Sequence, residues 1–462
     1  MNRKLGFLAL ALGAVAACTA QPDYTCLSNA DCVEDEGAQG VCEPNGQCAF
    51  VDPTCDDSSD TGLRYPDDAT GGVANQCVAT GKSCVSAIAT GTSHTCVLRT
   101  DGTVWCWGLN DVGELASSNG DQTTPSQVLR LPSGHLVTQI SAAEVHSCAL
   151  IDDNTVWCWG GNDSLQLGQC GASPPASSTK PLEVIGYTAS VSQPSMPTCN
   201  PTVPFTAKQI TAGGEHNCAI GMDDNLYCWG ENQTGAQGGQ SGQDPAVFDD
   251  VPGPLKVVFD GPVQVQAGDE YTCVLKDENS VWCFGSNSLG ELGNGGTAES
   301  FAPINVTGIS DASQLVMDDE TACVVTRDGG LWCWGNADTG IFGTDLTDNV
   351  LKATRVASAT TAYGGGTAET IFLPQTDGTL QVLGDNTLGQ AGITGSATAI
   401  SSPTQAELLE VQLLSAGGDH TCAVTTDGAI WCWGDNSHGQ IGNGTTSTTP
   451  TQIPTRVEWT CP

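Results

Sequence analysis

Basic residues are scarce in this chain. Its 462 residues hold 14 lysines and arginines against 52 aspartates and glutamates, for a formal net charge of −38. Phosphate binding needs clustered Lys and Arg, so nucleic acid is not an expected partner. The acidity serves solubility and, beyond that, would attract a basic protein. Long apolar runs are missing too: residues 5–15 form the one extended stretch, too short to span a bilayer. No Asp-x-Asp-x-Asp-Gly loop is present for calcium. No histidine stands among Cys26, Cys32, Cys42 and Cys48, whose gaps of five and nine residues do not suit zinc. The expectation is no metal, no cofactor and no catalytic group.

The N-terminus gives the compartment. Arg3 and Lys4 precede the short apolar stretch, which ends in Val15-Ala16-Ala17-Cys18. That tetrapeptide resembles a bacterial lipobox, so residues 1–17 read as a lipoprotein signal peptide and Cys18 as the lipidated residue. A plain signal peptide cut after Ala17 is the competing reading. The lipid would be the only membrane attachment, at the outer-membrane surface or in the periplasm.

Cysteine is abundant. Setting Cys18 aside from the 23 leaves an even number, as full oxidation requires, and this density belongs to an oxidising compartment. Twelve cysteines follow one rule. Each of Cys96, Cys148, Cys218, Cys273, Cys323 and Cys422 is followed ten residues later by Cys106, Cys158, Cys228, Cys283, Cys333 and Cys432. The second cysteine sits in a signature, Trp105-Cys106-Trp107-Gly108, that recurs about every fifty residues. Tyr227 and Phe284 each replace one tryptophan, and a seventh, worn copy ends at Gly384 with Gln381-Val382-Leu383.

Between each pair of cysteines lies an apolar run with a turn at its centre, as in Thr100-Asp101-Gly102. With Gly102 left-handed, Cys96 and Cys106 stand opposite each other, close enough for a disulfide. Six intra-hairpin bridges are expected: Cys96–Cys106, Cys148–Cys158, Cys218–Cys228, Cys273–Cys283, Cys323–Cys333 and Cys422–Cys432. Each closes a short loop worth about 2.7 kcal/mol in the chain-entropy model. In the worn copy both cysteines are replaced together, by Phe372 and Val382.

Alternation places Cys96, Leu98, Val104 and Cys106 on one face and Val97, Trp105 and Trp107 on the other. Both faces are apolar, so each small sheet is sandwiched between neighbours. An apolar strand precedes each first cysteine and a Pro-led strand follows each signature. Four strands in each of seven units predict an all-β, seven-bladed propeller of antiparallel blades. Ring closure would bring Cys84 beside Cys461, giving a Cys84–Cys461 bridge, with the strand at 449–453 pairing onto the first blade. Cys55–Cys77 and Cys170–Cys199 follow by elimination. The domains read as signal peptide 1–17, an anchored Cys-rich module 18–52, a linker 53–83 and the propeller 84–462.

Ala-Gly-x-x-His before one strand, Asp-Gly in the hairpin, aromatic-x-Trp-Gly after it, and Asn-x-x-Gly-Gln-Leu/Ile-Gly in the outgoing loop together resemble the regulator of chromosome condensation repeat family, over residues 84–461. That resemblance implies the propeller. Members include a nucleotide exchange factor for a small GTPase, a plant UV-B photoreceptor and a secreted bacterial inhibitor of β-lactamase, so the fold alone does not choose a function.

His94, His146, His216 and His420 recur at one position of the repeat and are expected to make a structural hydrogen bond inside each blade. The signature tryptophans occupy packing positions. Function is therefore expected in loops that depart from the repeat: around 186–205, with Tyr187, Met196 and Phe205, and around 239–253, with Phe248. The reading is a monomeric, lipid-anchored, non-catalytic module that binds a protein, with a basic partner favoured by the charge. An enzyme acting on an extracellular polymer is the alternative, and nucleotide exchange the third.

Overall fold

The computed structural model describes four strands between residues 41 and 79, and residues 84–459 apart from 170–173, 188–198, 234–238, 247–248, 339, 344–347, 365–368 and 396. The chain divides into two compact units, Met1–Ala79 and Thr80–Pro462. In the first, Val41–Cys42, Cys48–Val51, Asp60–Arg64 and Cys77–Ala79 form one four-stranded sheet in chain order. The segment expected as a linker thus carries two strands. Its Asp, Gly and Ser content resembles a linker, yet short strands such as Asp60–Arg64 can pair through their backbones alone. Cys42 stands opposite Cys48 in this sheet and Cys77 opposite Arg64. Cys18, Cys26, Cys32 and Cys55 lie outside the described residues.

The second unit is a seven-bladed propeller. Blade one is representative: Val85–Thr90, His94–Arg99, Val104–Gly108 and Gln122–Gln127 pair antiparallel in chain order from the axis outward. Blades two to five and seven repeat the pattern over 137–183, 207–256, 262–305, 312–358 and 411–456. Blade six, the worn copy, has three strands over 370–405, and its innermost strand is reduced to a bridge between Tyr363 and Phe372.

The hairpin register follows the turn. Gly102 takes φ +78°, its N–H donates to the Arg99 carbonyl, and Cys96 faces Cys106. Six such pairs are joined by disulfides, each with a Cα–Cα separation of 4.1 Å. In blade six Phe372 and Val382 oppose each other in the same register.

The signature glycine has its own reason. Gly108 takes φ +103°, and a Cβ there would lie 2.5 Å from the Ser93 carbonyl oxygen. The same crossing holds at the signature glycine of every blade, Gly384 included, where the gap would be 2.1 Å. Register between the third and outer strands shifts at this glycine in each blade, as in Cys106/Gly108.

Blades pack through the two apolar faces. Cys96, Leu98, Val104 and Cys106 join Ile140, Ala149 and Trp159 of blade two. Val97 and Trp107 join Cys422, Val424 and Ile430 of blade seven, which closes the ring. Hydrogen bonds repeat the same logic. The buried indole N–H of Trp107 donates to the Gln440 carbonyl at 2.8 Å, Trp159 to Glu114 at 2.7 Å and Trp229 to Gln166 at 3.0 Å. Phe284 has no N–H, and there the Gln240 carbonyl accepts from Thr272 Oγ1 at 2.9 Å.

The final strand, Ser447–Arg456, completes blade seven rather than pairing onto blade one as expected. Blade seven needs a fourth strand like its neighbours, and a blade-one outer edge is already supplied by Gln122–Gln127. The tail beyond it does reach blade one. Val457 is buried beside Val85, Trp459 meets Trp105 edge-on at 5.5 Å, and its N–H donates to Cys84 Sγ at 3.3 Å. Cys84 is disulfide-bonded, and the other cysteines with described side chains pair among themselves, so its partner lies outside them. Cys461 is also outside the described residues.

Candidate binding site at the acidic mouth

Antiparallel blades put two kinds of turn at opposite ends of the propeller. At one end, the mouth, a tight turn links the first and second strands; at the other, the hairpin end, a turn links the second and third. Immediately after the mouth turn stands the repeated histidine. His94, His146, His216 and His420 are all fully buried. Their Nε2 atoms meet Ser147 Oγ at 2.7 Å, Asn217 Oδ1 at 3.0 Å, Thr272 Oγ1 at 2.8 Å and Thr95 Oγ1 at 2.6 Å. Each partner belongs to the next blade. The hydrogen bond expected inside a blade is instead a bond between blades, because the ring projects through the sheet face toward its neighbour. Burial lowers these imidazoles to about 3 for His94 and His216 and about 4 for His146 and His420, so they stay neutral.

One to three residues before that position, six of the seven blades carry carboxylates: Glu144, Glu215, Asp269 with Glu270, Asp318 to Glu320, Glu369 and Asp419. Around the axis they surround a cavity of about 310 Å³ lined by Glu144, Asp269, Asp319, Glu369, Asp385 and Asp419 together with Thr92, Thr387, Gln390 and Gly418. Among the described residues, no lysine or arginine lines it. Among the described residues the ion pairs lie elsewhere, as in Arg99–Asp101, Lys208–Asp224 and Lys276–Glu278.

Crowding this many like charges into a half-buried space makes ionisation costly. Burial, then Asp269 and Glu320, pushes Asp319 up to about 8. Burial with Asp269 and Glu231 pushes Glu270 to about 8, and burial with Asp385 pushes Glu369 to about 7. Asp269 rises to about 6 through burial and the charge of Glu144. Glu144 also acts on Asp319, so blades two and five face each other across the cavity.

The hairpin end also carries carboxylates, but they are different in kind. Asp153 Oδ1 accepts from the Thr155 N–H at 3.0 Å and its hydroxyl at 2.7 Å, and Asp377 does the same with Thr379. Those hydrogen bonds hold both carboxyls below the usual range. These aspartates build turns; at the mouth Asp318 and Asp385 accept from the Thr321 and Thr387 N–H groups in the same way, at 2.8 and 3.2 Å, but Asp319, Glu270 and Glu369 are raised by burial and by one another.

The loops singled out from sequence fare unevenly. Residues 185–204 contain a two-stranded hairpin, Ile185–Tyr187 with Cys199–Pro204. Tyr187 lies opposite Cys199 in that hairpin, and the side chains of both lie outside the described residues. Met196, Phe248 and Cys170 also lie outside them. Phe205 is not an exposed binding residue. It is 8% exposed and packs edge-on against Tyr227 at 5.2 Å and Trp229 at 5.7 Å, because its ring joins the apolar core between blades two and three with Leu150 and Ile210. The mouth was the missed feature. Its signal was the carboxylate that recurs just before the histidine position, in the same turns that drew attention to histidine. Among the described residues, no three His, Cys, Asp or Glu side chains are grouped to hold a metal ion.

Comparison with known proteins agrees with this repeat architecture. The RCC1-like domain family matches residues 42–371, and regulator of chromosome condensation (RCC1) repeats match 411–440 and 427–460. The chain belongs to the RCC1-like domain family. This RCC1-like propeller is 28% identical to the ultraviolet-B receptor UVR8 of Arabidopsis thaliana over 375 residues, covering 78% of this chain and 79% of the receptor. It is 22% identical to the regulator of chromosome condensation of Xenopus laevis, over 77% and 72% of the two chains. Human HERC6, a probable E3 ubiquitin-protein ligase, is 29% identical over 47% of this chain but only 20% of its own length. The solved structure of yeast RCC1 (Prp20) bound to Kap60 overlaps with a TM-score of 0.49 at 22% identity, over 81% of this chain and 74% of that one.

Proposed function

We propose that this RCC1-like propeller is an exported, lipid-anchored, non-catalytic module that binds a partner protein at the cell envelope through its acidic mouth. One observation carries the reading: the carboxylates of the mouth are gathered at a cavity with no basic partner, whereas those of the hairpin end are satisfied within their own turns. A fold has no reason to concentrate unpaired charge at one point unless something outside completes it. The Val15-Ala16-Ala17-Cys18 tetrapeptide and the disulfide in six of seven blades support export and anchoring.

A raised carboxyl such as Asp319 is also what a general acid needs, which favours a polymer-cleaving enzyme as the second reading. The mouth lacks the aromatic lining that sugar rings stack on, and its carboxylates spread around a ring rather than forming one facing pair.

Affinity capture from envelope extracts tests the proposal, using the wild-type chain, a mouth variant (Asp319→Lys with Glu369→Lys) and a hairpin-end variant (Asp153→Lys with Asp377→Lys). The partner should be retained by the wild type and the hairpin-end variant and lost by the mouth variant. Retention by the mouth variant, or loss only at the hairpin end, overturns the reading.

A further inference from the structure

The outer strand of each blade is a sheet edge, and six of the seven edges share one device. Pro125, Pro181, Pro254, Pro303, Pro403 and Pro454 each stand immediately before the residue opposite the signature cysteine or, in blade six, opposite Val382; Pro125, for example, precedes Ser126, which faces Cys106. Blade five departs from this. Its outer strand, Val350–Ser358, contains no proline, and Ala353 stands before Thr354, the residue opposite Cys333. The ladder shows what the proline removes elsewhere. Cys323 and Cys333 face each other at a Cα separation of 4.1 Å, the closeness of a non-hydrogen-bonded pair, so Cys333 turns its backbone N–H and C=O toward Thr354. Thr354 turns its own groups inward to meet them, and by alternation Ala353 and Arg355 turn theirs out of the sheet. In the other six blades the outward N–H at this position is missing, because proline has none.

The same strand is distinct in charge. It carries Lys352 and Arg355, both exposed, and no carboxylate, and no other outer strand holds two cations. Arg355 donates to Ser358 Oγ at 3.2 Å, and its charge reaches Asp328 in the nearby turn. Packing holds the strand in place: Val350 and Ala353 lie against the core between blades four and five, Val356 and Ala357 against that between five and six. At the mouth end Lys352 bridges to Asn294, and the Leu351 carbonyl accepts from the Gly295 N–H at 2.8 Å. From Ala353 onward no strand among the described residues pairs with this edge.

We propose that the edge around Ala353 and Arg355 takes an extended acidic segment of a partner protein as a fifth strand of blade five. Pairing with the outward backbone groups holds the segment, and Lys352 and Arg355 select its charge. A second copy of this edge is a poor occupant, because antiparallel self-pairing about Ala353 and Thr354 sets Lys352 against Arg355, like charges opposite each other. Cations beside an open N–H thus bar self-pairing while admitting a strand that bears carboxylates. The surface is separate from the mouth, and the inference does not rest on the mouth being a binding site.

Fluorescence anisotropy of a short labelled peptide alternating threonine and glutamate, titrated with the full chain, tests the inference. Ala353→Pro gives blade five the proline that the other six outer strands carry, and it should weaken binding at least about tenfold. Lys352→Glu with Arg355→Glu should weaken it at least as much. On binding to the wild type, hydrogen exchange of the Ala353 and Arg355 amides should slow. Unchanged thermal unfolding of the variants shows that the propeller is intact, and the exchange measurement on the wild type decides if Ala353→Pro does not fold. Equal affinity of the wild type and Ala353→Pro reduces the contact to charge attraction and overturns the inference, as does absence of binding, or protection elsewhere with none at Ala353 and Arg355. A wild-type dimer in sedimentation that Ala353→Pro dissociates assigns the edge to a second copy and also overturns it.

Discussion

The two ends of this propeller carry the same residue type to opposite purposes. At the hairpin end each aspartate closes its own turn: Asp153 binds Thr155, Asp328 binds Thr326 and the Gly330 N–H, and Asp377 binds Thr379. Hydrogen bonds there lower the carboxyls. At the mouth Glu270, Asp319 and Glu369 meet burial and neighbouring carboxylates, and they rise. The overall acidity of the chain points to no site. What distinguishes the two ends is that Arg99, Lys208 and Lys276 pair with carboxylates at the hairpin end, whereas the described lining of the mouth cavity holds no lysine or arginine.

The comparison is broken most severely by acid. The four buried histidines just below the mouth turn have folded pKa values of about 3 to 4, below the usual 6.5. The unfolded chain therefore binds protons that the native ring refuses, and their contribution to stability is lost as pH falls from 6.5 toward 4. Together they should remove several kcal/mol over that window, measurable as a falling urea midpoint. His146→Gln, which can keep a bond to Asn217, should flatten this acid limb; an unchanged limb would mean that the ring is not held neutral.

A paired substitution sharpens the contrast. Asp319 is raised from the ordinary 3.8 to about 8 in the folded chain, so its contribution is fully present below the ordinary value and is lost progressively as pH rises from there through about 8. Asp319→Asn should therefore stabilise more at pH 9 than at pH 6, by about 2 to 3 kcal/mol. Asp153→Ala, at the other end, should cost about 1 kcal/mol at both pH values, as loss of a side-chain cap does. Thermal unfolding of both variants at the two pH values gives the answer, and equal pH dependence at the two ends would remove the distinction.

The smallest effect concerns the packing between the ends. Trp229→Phe removes the bond to the Gln166 carbonyl while keeping the aromatic contact, as Phe284 does in blade four. It should cost about 1 kcal/mol and leave the mouth's titration unmoved.

Most of the fold was legible because the decisive geometry is local. A ten-residue spacing and an Asp-Gly turn fix the register of Cys96 with Cys106, and two apolar faces on one strand require neighbours on both sides. What failed was longer in range. The place of Ser447–Arg456 depended on which blade lacked an outer strand, and the strands at Asp60–Arg64 and Cys77–Ala79 pair through backbone groups that composition does not reveal. Phe205 looked available in a proline-rich insertion and is core, since only packing shows that Tyr227 and Trp229 cover it. The mouth was hidden in a different way: Glu144, Asp319 and Asp419 are far apart in sequence and each is unremarkable alone, and only closure of the ring brings them to one cavity.

The protonated-carboxyl infrared absorption of the full chain, followed from pH 6 to pH 9, tests the central claim most directly because histidine does not contribute to it. The account predicts that this absorption is present at pH 6 and disappears by pH 9, that Asp319→Asn with Glu369→Gln removes part of it, and that Asp153→Asn with Asp377→Asn leaves it unchanged. A chain whose carboxyls are all ionised at pH 6, or whose signal is removed by the hairpin-end substitutions, would contradict it.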